Sequence, residues 1–355
     1  MIRSFAALLL VPLTVAALHA DPDPGFAVMG SGADPDAGPA PVYEPPWLDS
    51  MSSNGRTVTA KSISDDGSTV TVISGEDVEN RAVGTGRVLA AVHPNTWAGS
   101  RAVDLAVARS QTTSRVYRVS TGKTLLDLDV VTRLDLSADG RCAFASPVPA
   151  SLKAPTTATP LKVWDVDSQK LLWERPVDAS FDPLEWDDIA CSADRTLLAQ
   201  ARRKYDTPAY PGRFGRVSVW NGTREYNLEG ASTGAFWQVR FVGDTHTVVG
   251  VTATRESTGE VRFWDGATGA CTFHASFTVK GSGVDPLLSG DGHAFVTHLT
   301  DTRLAVYEVR PAYPPVRVVA VLHGAGMEPA ISHHGTAVLA HIPPDRKAFR
   351  VWRVP

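Results

Sequence analysis

The sequence contains little cysteine. Only three cysteines occur among 355 residues, Cys142, Cys191 and Cys271. Such a low count excludes the class of small secreted domains held together by many disulfides. No Cys-x-x-Cys pair or mixed Cys/His spacing indicates a zinc site. All three cysteines stand in apolar, strand-like segments, which favours buried thiols that fill small spaces in the core. The odd number leaves at least one of them free.

Long hydrophobic runs are also scarce. The apolar stretch at residues 5–18 is shorter than the roughly 20 residues that a membrane span requires. It follows Arg3 and precedes the small residue Ala20, the pattern of a secretory signal peptide over residues 1–20. The alternative is an uncleaved membrane anchor. We therefore predict an exported bacterial protein, whether periplasmic, cell-surface or secreted, with no membrane span after signal removal.

An excess of positive charge is missing as well. Loss of Arg3 with the signal reduces the 34 basic residues to 33, against 38 acidic ones, so the mature chain carries a net charge of −5. This balance argues against nucleic acid as a partner. Residues 21–56 are rich in Pro, Gly, Asp and Ala and offer few apolar side chains to bury. We predict a flexible leader there.

Helical periodicity is absent from residue 57 onward. Short runs of Val, Leu, Ile, Thr, Phe and Ala alternate with Gly, Asp, Ser and Asn turns, which predicts an all-β chain. Turns of the type "LSADGR" (136–141) and "LSGDGH" (288–293) recur seven times when two looser members are included. Asp-Gly pairs are typical of tight hairpins, because both central residues must tolerate a positive φ.

An aromatic residue closes a recurring apolar run. Successive members are 47, 56, 44, 43 and 45 residues apart, and they are Tyr117, Trp164, Trp220, Trp264, Tyr307 and Trp352. Four strands per period of roughly 40–45 residues indicate a β-propeller of four-stranded blades. The seven turns favour seven blades, although a tally of 26 strands also allows six. We expect these aromatics to fill the space between blades, with Asp165 and Asp265 accepting hydrogen bonds from turn N–H groups.

Three segments together carry a family resemblance. "LSADGRCAFA", "LKVWDVDSQKLLWE" and "GEVRFWDGATGA" resemble WD40 repeats, although the Gly-His pair that opens many such repeats is missing. Quinoprotein-like and YVTN-type propellers are the nearby alternative. The resemblance covers residues 57–355 and implies one WD40-like propeller closed by its N- and C-terminal strands. On this reading, "GRTVTA" or "DVENRAV" supplies the outer strand of the last blade.

Motifs for catalysis or metal binding are lacking. The sequence contains no nucleophile elbow, phosphate loop or His-Glu-x-x-His pair. Its acidic turns offer one or two carboxylates each, fewer than a calcium loop needs. His333 and His334 are neighbours in a turn and are expected to point apart. We therefore predict no catalytic residue, no metal, no cofactor and no enzymatic activity.

Two long connections stand out, at residues 146–160 and 201–215. We expect both at the end of the propeller that carries the connections between blades. The second connection combines cationic and aromatic side chains, which are enriched at binding hot spots, and a solvated loop without a partner is the alternative. The candidate binding residues are Arg202, Arg203, Lys204, Tyr205, Tyr210, Arg213 and Phe214.

Two functions are compatible with these features. The favoured one is a monomeric, non-enzymatic scaffold that binds a protein or peptide on one face of the propeller, an inference from fold alone. The alternative is a propeller enzyme or small-molecule sensor that uses the central channel. The innermost strands, for example "DIACS" and "VRFVG", read as largely apolar. Three or more carboxylate, histidine or arginine side chains lining that channel would favour the alternative.

Overall fold

The computed structural model describes most of the chain from residue 58 onward. The described ranges are 58–74, 77–94, 97–99, 102–110, 113–128, 132–147, 161–175, 186–202, 216–230, 238–253, 258–278, 286–300, 302–311, 316–325, 329–342 and 349–355. The predicted signal (1–20) and leader (21–56) lie outside these ranges. Within them, every regular element is a strand, and no helix is long and apolar enough to cross a membrane.

The strands fall into seven consecutive sheets. The first sheet comprises β1 (Val58–Ile63), β2 (Thr69–Ser74), β3 (Asp77–Ala82) and β4 (Val88–Val92), and the second comprises β5 (Trp97–Gly99), β6 (Leu105–Arg109), β7 (Ser114–Arg118) and β8 (Lys123–Leu128). The third sheet comprises β9 (Thr132–Leu136), β10 (Cys142–Pro147), β11 (Leu161–Asp165) and β12 (Leu171–Arg175). The fourth comprises β13 (Trp186–Cys191), β14 (Leu198–Arg202), β15 (Arg216–Trp220) and β16 (Glu225–Asn227). The fifth sheet comprises β17 (Gln238–Phe241), β18 (Thr247–Ala253), β19 (Thr258–Asp265) and β20 (Cys271–Thr278). The sixth comprises β21 (Leu287–Leu288), β22 (Ala294–Thr300), β23 (Arg303–Val309) and β24 (Val316–His323). The seventh comprises β25 (Ala330–Ile331), β26 (Ala337–His341) and β27 (Phe349–Arg353).

Each sheet is an antiparallel meander in which every strand pairs with the next one along the chain. We number the sheets as blades 1 to 7 in chain order. The first six have four described strands and blade 7 has three. The predicted seven-bladed β-propeller is thereby confirmed, and the six-bladed alternative is wrong.

The turn between the first and second strands repeats one hydrogen-bonding pattern. In blade 3, Ser137 Oγ accepts a bond from the Cys142 N–H (2.9 Å), and Asp139 Oδ1 accepts one from the Arg141 N–H (3.0 Å). Gly140 between them has a φ of +72°, a value that glycine adopts without steric cost. In blade 1, bonds from Ser64 and Ser68 lower the pKa of Asp66 to about 2. The Asp66 carboxylate is therefore held ionised as part of its turn.

The hydrophobic core lies between blades. Seven clusters of buried side chains occupy the seven junctions, so each blade packs against both of its neighbours. Six of the junctions contain one aromatic of the recurring series, each from a third strand that faces the preceding blade: Tyr117, Trp164, Trp220, Trp264, Tyr307 and Trp352. Trp264 and Trp352 are completely buried. The recurring spacing in the sequence thus follows the positions of the blade junctions.

The ring closes where blade 7 meets blade 1. Ile63 and Val72 pack there against Phe349 and Val351, and Asp65 Oδ1 accepts a hydrogen bond from the His334 N–H at 2.7 Å. The expectation that "GRTVTA" or "DVENRAV" supplies the outer strand of the last blade is wrong. These segments contribute to β1 and β3, and both strands pair with β2 inside blade 1.

The cysteines also differ from the expectation of buried thiols. Cys142 on β10 and Cys191 on β13 are fully buried and form a disulfide between blades 3 and 4. Their sequence positions are 49 residues apart, one repeat of the propeller, which is why adjacent blades bring them together. Cys271 is free and partly buried, and burial raises the pKa of its thiol.

Candidate functional site

A cavity of about 800 Å³ occupies the centre of the ring. Each of the seven blades contributes lining residues from its first strand or from the loop flanking that strand. First strands stand at the inner end of their sheets and pair on one side only, so one edge of backbone N–H and C=O groups is directed toward the channel. The cavity is therefore the central channel of the propeller, and its wall is polar even where the side chains are apolar.

The cavity extends to the end of the channel where the Ser-x-Asp-Gly turns lie. Turn residues Ser64, Asp65, Asp139 and Gly290 belong to its lining. In an antiparallel meander, the first-to-second and third-to-fourth turns share one end, and the other connections share the opposite end. We call this region the turn-end cavity. The two long connections at 146–160 and 203–215 join second to third strands and so belong to the opposite end.

The turn-end cavity is lined by many charged or titratable side chains, more than the sequence suggested. Nine of them belong to its wall: Lys61, Asp65, Arg118, Asp139, Arg141, Asp167, Asp188, Arg240 and His333. The expectation of a largely apolar channel with few acids is therefore wrong. The number of carboxylate, histidine and arginine side chains passes the threshold set above, which favours the alternative of a propeller enzyme or small-molecule sensor that uses the central channel.

All four lining aspartates have partners. Asp65 accepts the His334 N–H, Asp139 accepts the Arg141 N–H, and Asp167 Oδ1 accepts Arg118 Nη2 at 2.9 Å. Asp188 pairs with Arg240 and also accepts the Val239 N–H at 3.0 Å. Arg141 in turn reaches Asp244 of blade 5 at 3.1 Å. Each of these carboxylates thus already accepts a hydrogen bond within the protein.

The Asp188–Arg240 ion pair is the most buried of these contacts. Asp188 on β13 is 2% exposed and Arg240 on β17 is 3% exposed, so the pair joins the inner strands of blades 4 and 5 away from solvent. Arg240 Nη1 donates to both Asp188 and the Val239 carbonyl. Its Nε is buried and donates to no described residue. A buried donor without an acceptor is costly, which marks this guanidinium as incompletely satisfied.

Lys61 reaches the cavity from a β-bulge. In the pairing of β1 with β2, Ala60 faces Val72 and Ser62 faces Thr71, so Lys61 is the extra residue. Bulges re-aim a side chain and occur often beside functional sites. Lys61 is exposed and forms no hydrogen bond or ion pair with the described residues. It is a cation of the cavity wall for which the described part of the chain supplies no counter-charge.

Two adjacent histidines lie at the rim. The rings of His333 and His334 meet edge to face with centroids 4.6 Å apart, so the expectation that they point apart is wrong. A hydrogen bond to Asp291 raises the pKa of His334, whereas burial lowers the pKa of His333. Gly290 makes room for the His333 ring, because a Cβ at this position would clash with that ring. His333 thus lines the cavity with its ring against Gly290.

Most of the candidate binding residues of the 201–215 connection lie outside the described part of the chain. Arg202 is the last residue of β14, and Arg203, Lys204, Tyr205, Tyr210, Arg213 and Phe214 lie outside the described residues. Asp165 and Asp265 do accept turn N–H groups, from Ser168 at 2.6 Å and from Ala267 at 2.8 Å. Among the described residues, no group of three or more His, Cys, Asp or Glu side chains could hold a metal ion.

Sequence comparison finds no match to any family model and no match to a curated protein. The resemblance to WD40 repeats therefore stays a prediction at the family level. Among solved structures, a hydrazine synthase chain of Kuenenia stuttgartiensis is similar, with 12% identity over 92% of this chain and 99% of that chain and a TM-score of 0.49. A similarity this distant says nothing about activity or ligand.

Proposed function

We propose that the protein is an exported, non-enzymatic scaffold that binds its partner at one end of the propeller, and that the binding end is the turn-end cavity. A rigid propeller is suited to a scaffold or binding role. The observation that carries the choice of end is the lining itself, to which all seven blades contribute and six of them contribute polar or charged side chains. Concave sites with a few convergent polar groups are the usual form of ligand sites.

The chemistry of the wall favours binding over catalysis. A catalytic acid or base must be free to exchange a proton with the substrate. The lining carboxylates are committed to turns and ion pairs. Such groups fix the shape and charge of a binding site.

The disulfide supports the proposal of export. Cystine bridges persist in oxidising compartments such as the periplasm and the cell exterior. A fully buried disulfide between neighbouring blades fits the secretory pattern of residues 1–20. Both features favour a protein that folds outside the cytoplasm.

A second binding end remains a candidate. The strand bounds identify residues 203–215 as the β14–β15 connection, at the end opposite the turn-end cavity. Its arginines and aromatics favour a protein or peptide partner there. The two proposals place the partner at opposite ends of one channel, so one experiment can separate them.

Occlusion of the cavity provides that experiment. We expect Lys61→Trp to abolish partner capture from the native compartment, because the indole occupies the cavity from an exposed position that tolerates it. Lys123→Trp, which alters an exposed lysine of β8, serves as the matched control and retains capture. Deletion of residues 203–213 retains capture as well if the turn-end cavity is the site. Capture quantified by mass spectrometry that survives Lys61→Trp but fails on deletion assigns the opposite end and overturns the proposal.

A further inference from the structure

We propose that the turn-end cavity binds ligands that carry a carboxylate, with Lys61 and Arg240 as its two donors from facing walls. The proposal rests on the function proposed above and adds the chemical class of the ligand. It follows from which charges of the wall are matched and which are not.

The wall carries four aspartates and four lysine or arginine side chains, and these cations differ in whether they have a carboxylate partner. The four lining aspartates are each bound by a cation or a backbone N–H. Among the cations, Arg118 and Arg141 have aspartate partners at about 3 Å. Lys61 has none among the described residues. An anion entering the cavity therefore meets an ammonium group that forms no ion pair with the described residues.

Arg240 contributes unused donors of its own. Its charge is balanced by Asp188 through Nη1, and the unpartnered Nε is buried out of reach of a ligand. Nη2 donates no hydrogen bond to the described residues and is the donor left for a ligand. A guanidinium carries five N–H donors and binds carboxylates in a planar fork. Arg240 also lines the cavity. It can therefore donate to a ligand without giving up its contact with Asp188.

The ring topology sets the two donors apart. Lys61 belongs to blade 1 and Arg240 to blade 5, and at least two blades separate them in either direction around the ring. They approach the channel from facing walls, one as a mobile point charge and the other as a fixed planar donor. A carboxylate accepts from both kinds of donor. A volume of about 800 Å³ is in the range of small-molecule sites and also admits the end of a peptide.

Titration calorimetry of the mature, oxidised protein at low ionic strength tests the proposal. Citrate is the carboxylate probe and trimethyl citrate is its uncharged counterpart. An acetylated tripeptide and its C-terminal amide test whether a polypeptide end supplies the carboxylate. The variants are Lys61→Met, Arg240→Lys, which keeps the charge beside Asp188 but removes the fork, and Lys123→Met as a control of equal charge change.

We expect citrate or the tripeptide acid to bind and the two uncharged probes not to bind. Loss of one charge-assisted hydrogen bond weakens binding by about tenfold or more, so Lys61→Met and Arg240→Lys lower the affinity by that factor. Lys123→Met stays within about twofold of the wild type. Circular dichroism confirms the fold, and Lys61→Met decides the question if Arg240→Lys does not fold.

Three results would overturn the inference. The first is no binding of either acid by the wild type, the second is equal binding of the uncharged probes, and the third is equal affinity of Lys61→Met and Lys123→Met. Failure of the carboxylate inference can be distinguished from failure of the proposed function. If Lys61→Trp abolishes capture of the native partner while Lys61→Met leaves capture unchanged, the cavity is the binding site but the ligand is not a carboxylate.

Discussion

We expect Asp188→Ala to lower the free energy of unfolding by about 3–5 kcal/mol, the cost of removing one partner of a buried ion pair. The substitution leaves the Arg240 guanidinium, 3% exposed, without its carboxylate. The Val239 N–H also loses its acceptor. Urea denaturation followed by tryptophan fluorescence measures the change.

An exposed ion pair provides the matched control. Arg115 and Asp127 lie 2.9 Å apart with side chains about two-fifths exposed, and Asp127→Ala should cost less than about 1 kcal/mol. A double variant, Asp188→Leu with Arg240→Met, should recover most of the stability, because replacing both charges by apolar groups leaves none unpaired. Equal costs of Asp188→Ala and Asp127→Ala would show that the pair is not buried as described.

The second large effect concerns the disulfide between blades 3 and 4. For a sequence separation of 49 residues, loop-closure entropy gives a stabilisation of about 4 kcal/mol, and typical values are about 2–4 kcal/mol. The double variant Cys142→Ala, Cys191→Ala should lose stability in this range in chemical denaturation. Cys271→Ala, which removes the free cysteine, is the control and should change stability little.

Thiol counting checks the same disulfide without a variant. Unfolded protein that has not been reduced should react with one maleimide, at Cys271, and reduced protein with three. Three labels without reduction would contradict the disulfide. They would also remove the structural support for export.

The architecture was readable from the sequence because it is repeated. The aromatic spacing follows third strands, because a large ring fills six of the seven blade junctions. Trp264 and Trp352 are completely buried there. The Asp-Gly turns were readable because a positive φ restricts the residue, as at Gly140. Three non-glycine residues among those described also adopt a positive φ, Asp104, Gln169 and Arg195. Arg195, with a φ of +62°, binds Asp165 of the neighbouring blade at 2.6 Å.

Single, unrepeated features were not readable in this way. Asp188 and Arg240 are 52 positions apart, and their contact depends on the placement of blade 5 beside blade 4. Lys61 lies in what reads as a regular strand, and only the pairing of β1 with β2 reveals the bulge. The one sign of Arg240 in the sequence was a charged residue within an otherwise apolar inner strand, as in "VRFVG". Similarly, the disulfide required knowing which strands of adjacent blades face each other.

The location of the ligand at the turn-end cavity is tested most directly by lysine footprinting. The protein is treated with an amine-reactive ester in the presence and absence of the soluble fraction of its native compartment, and modification is quantified by mass spectrometry. We predict that the fraction protects Lys61, the exposed lysine of the cavity wall, several-fold, and leaves Lys123 on an outer strand unchanged. Equal modification of Lys61 with and without the fraction, under conditions in which a partner is captured, would contradict binding at this end of the propeller.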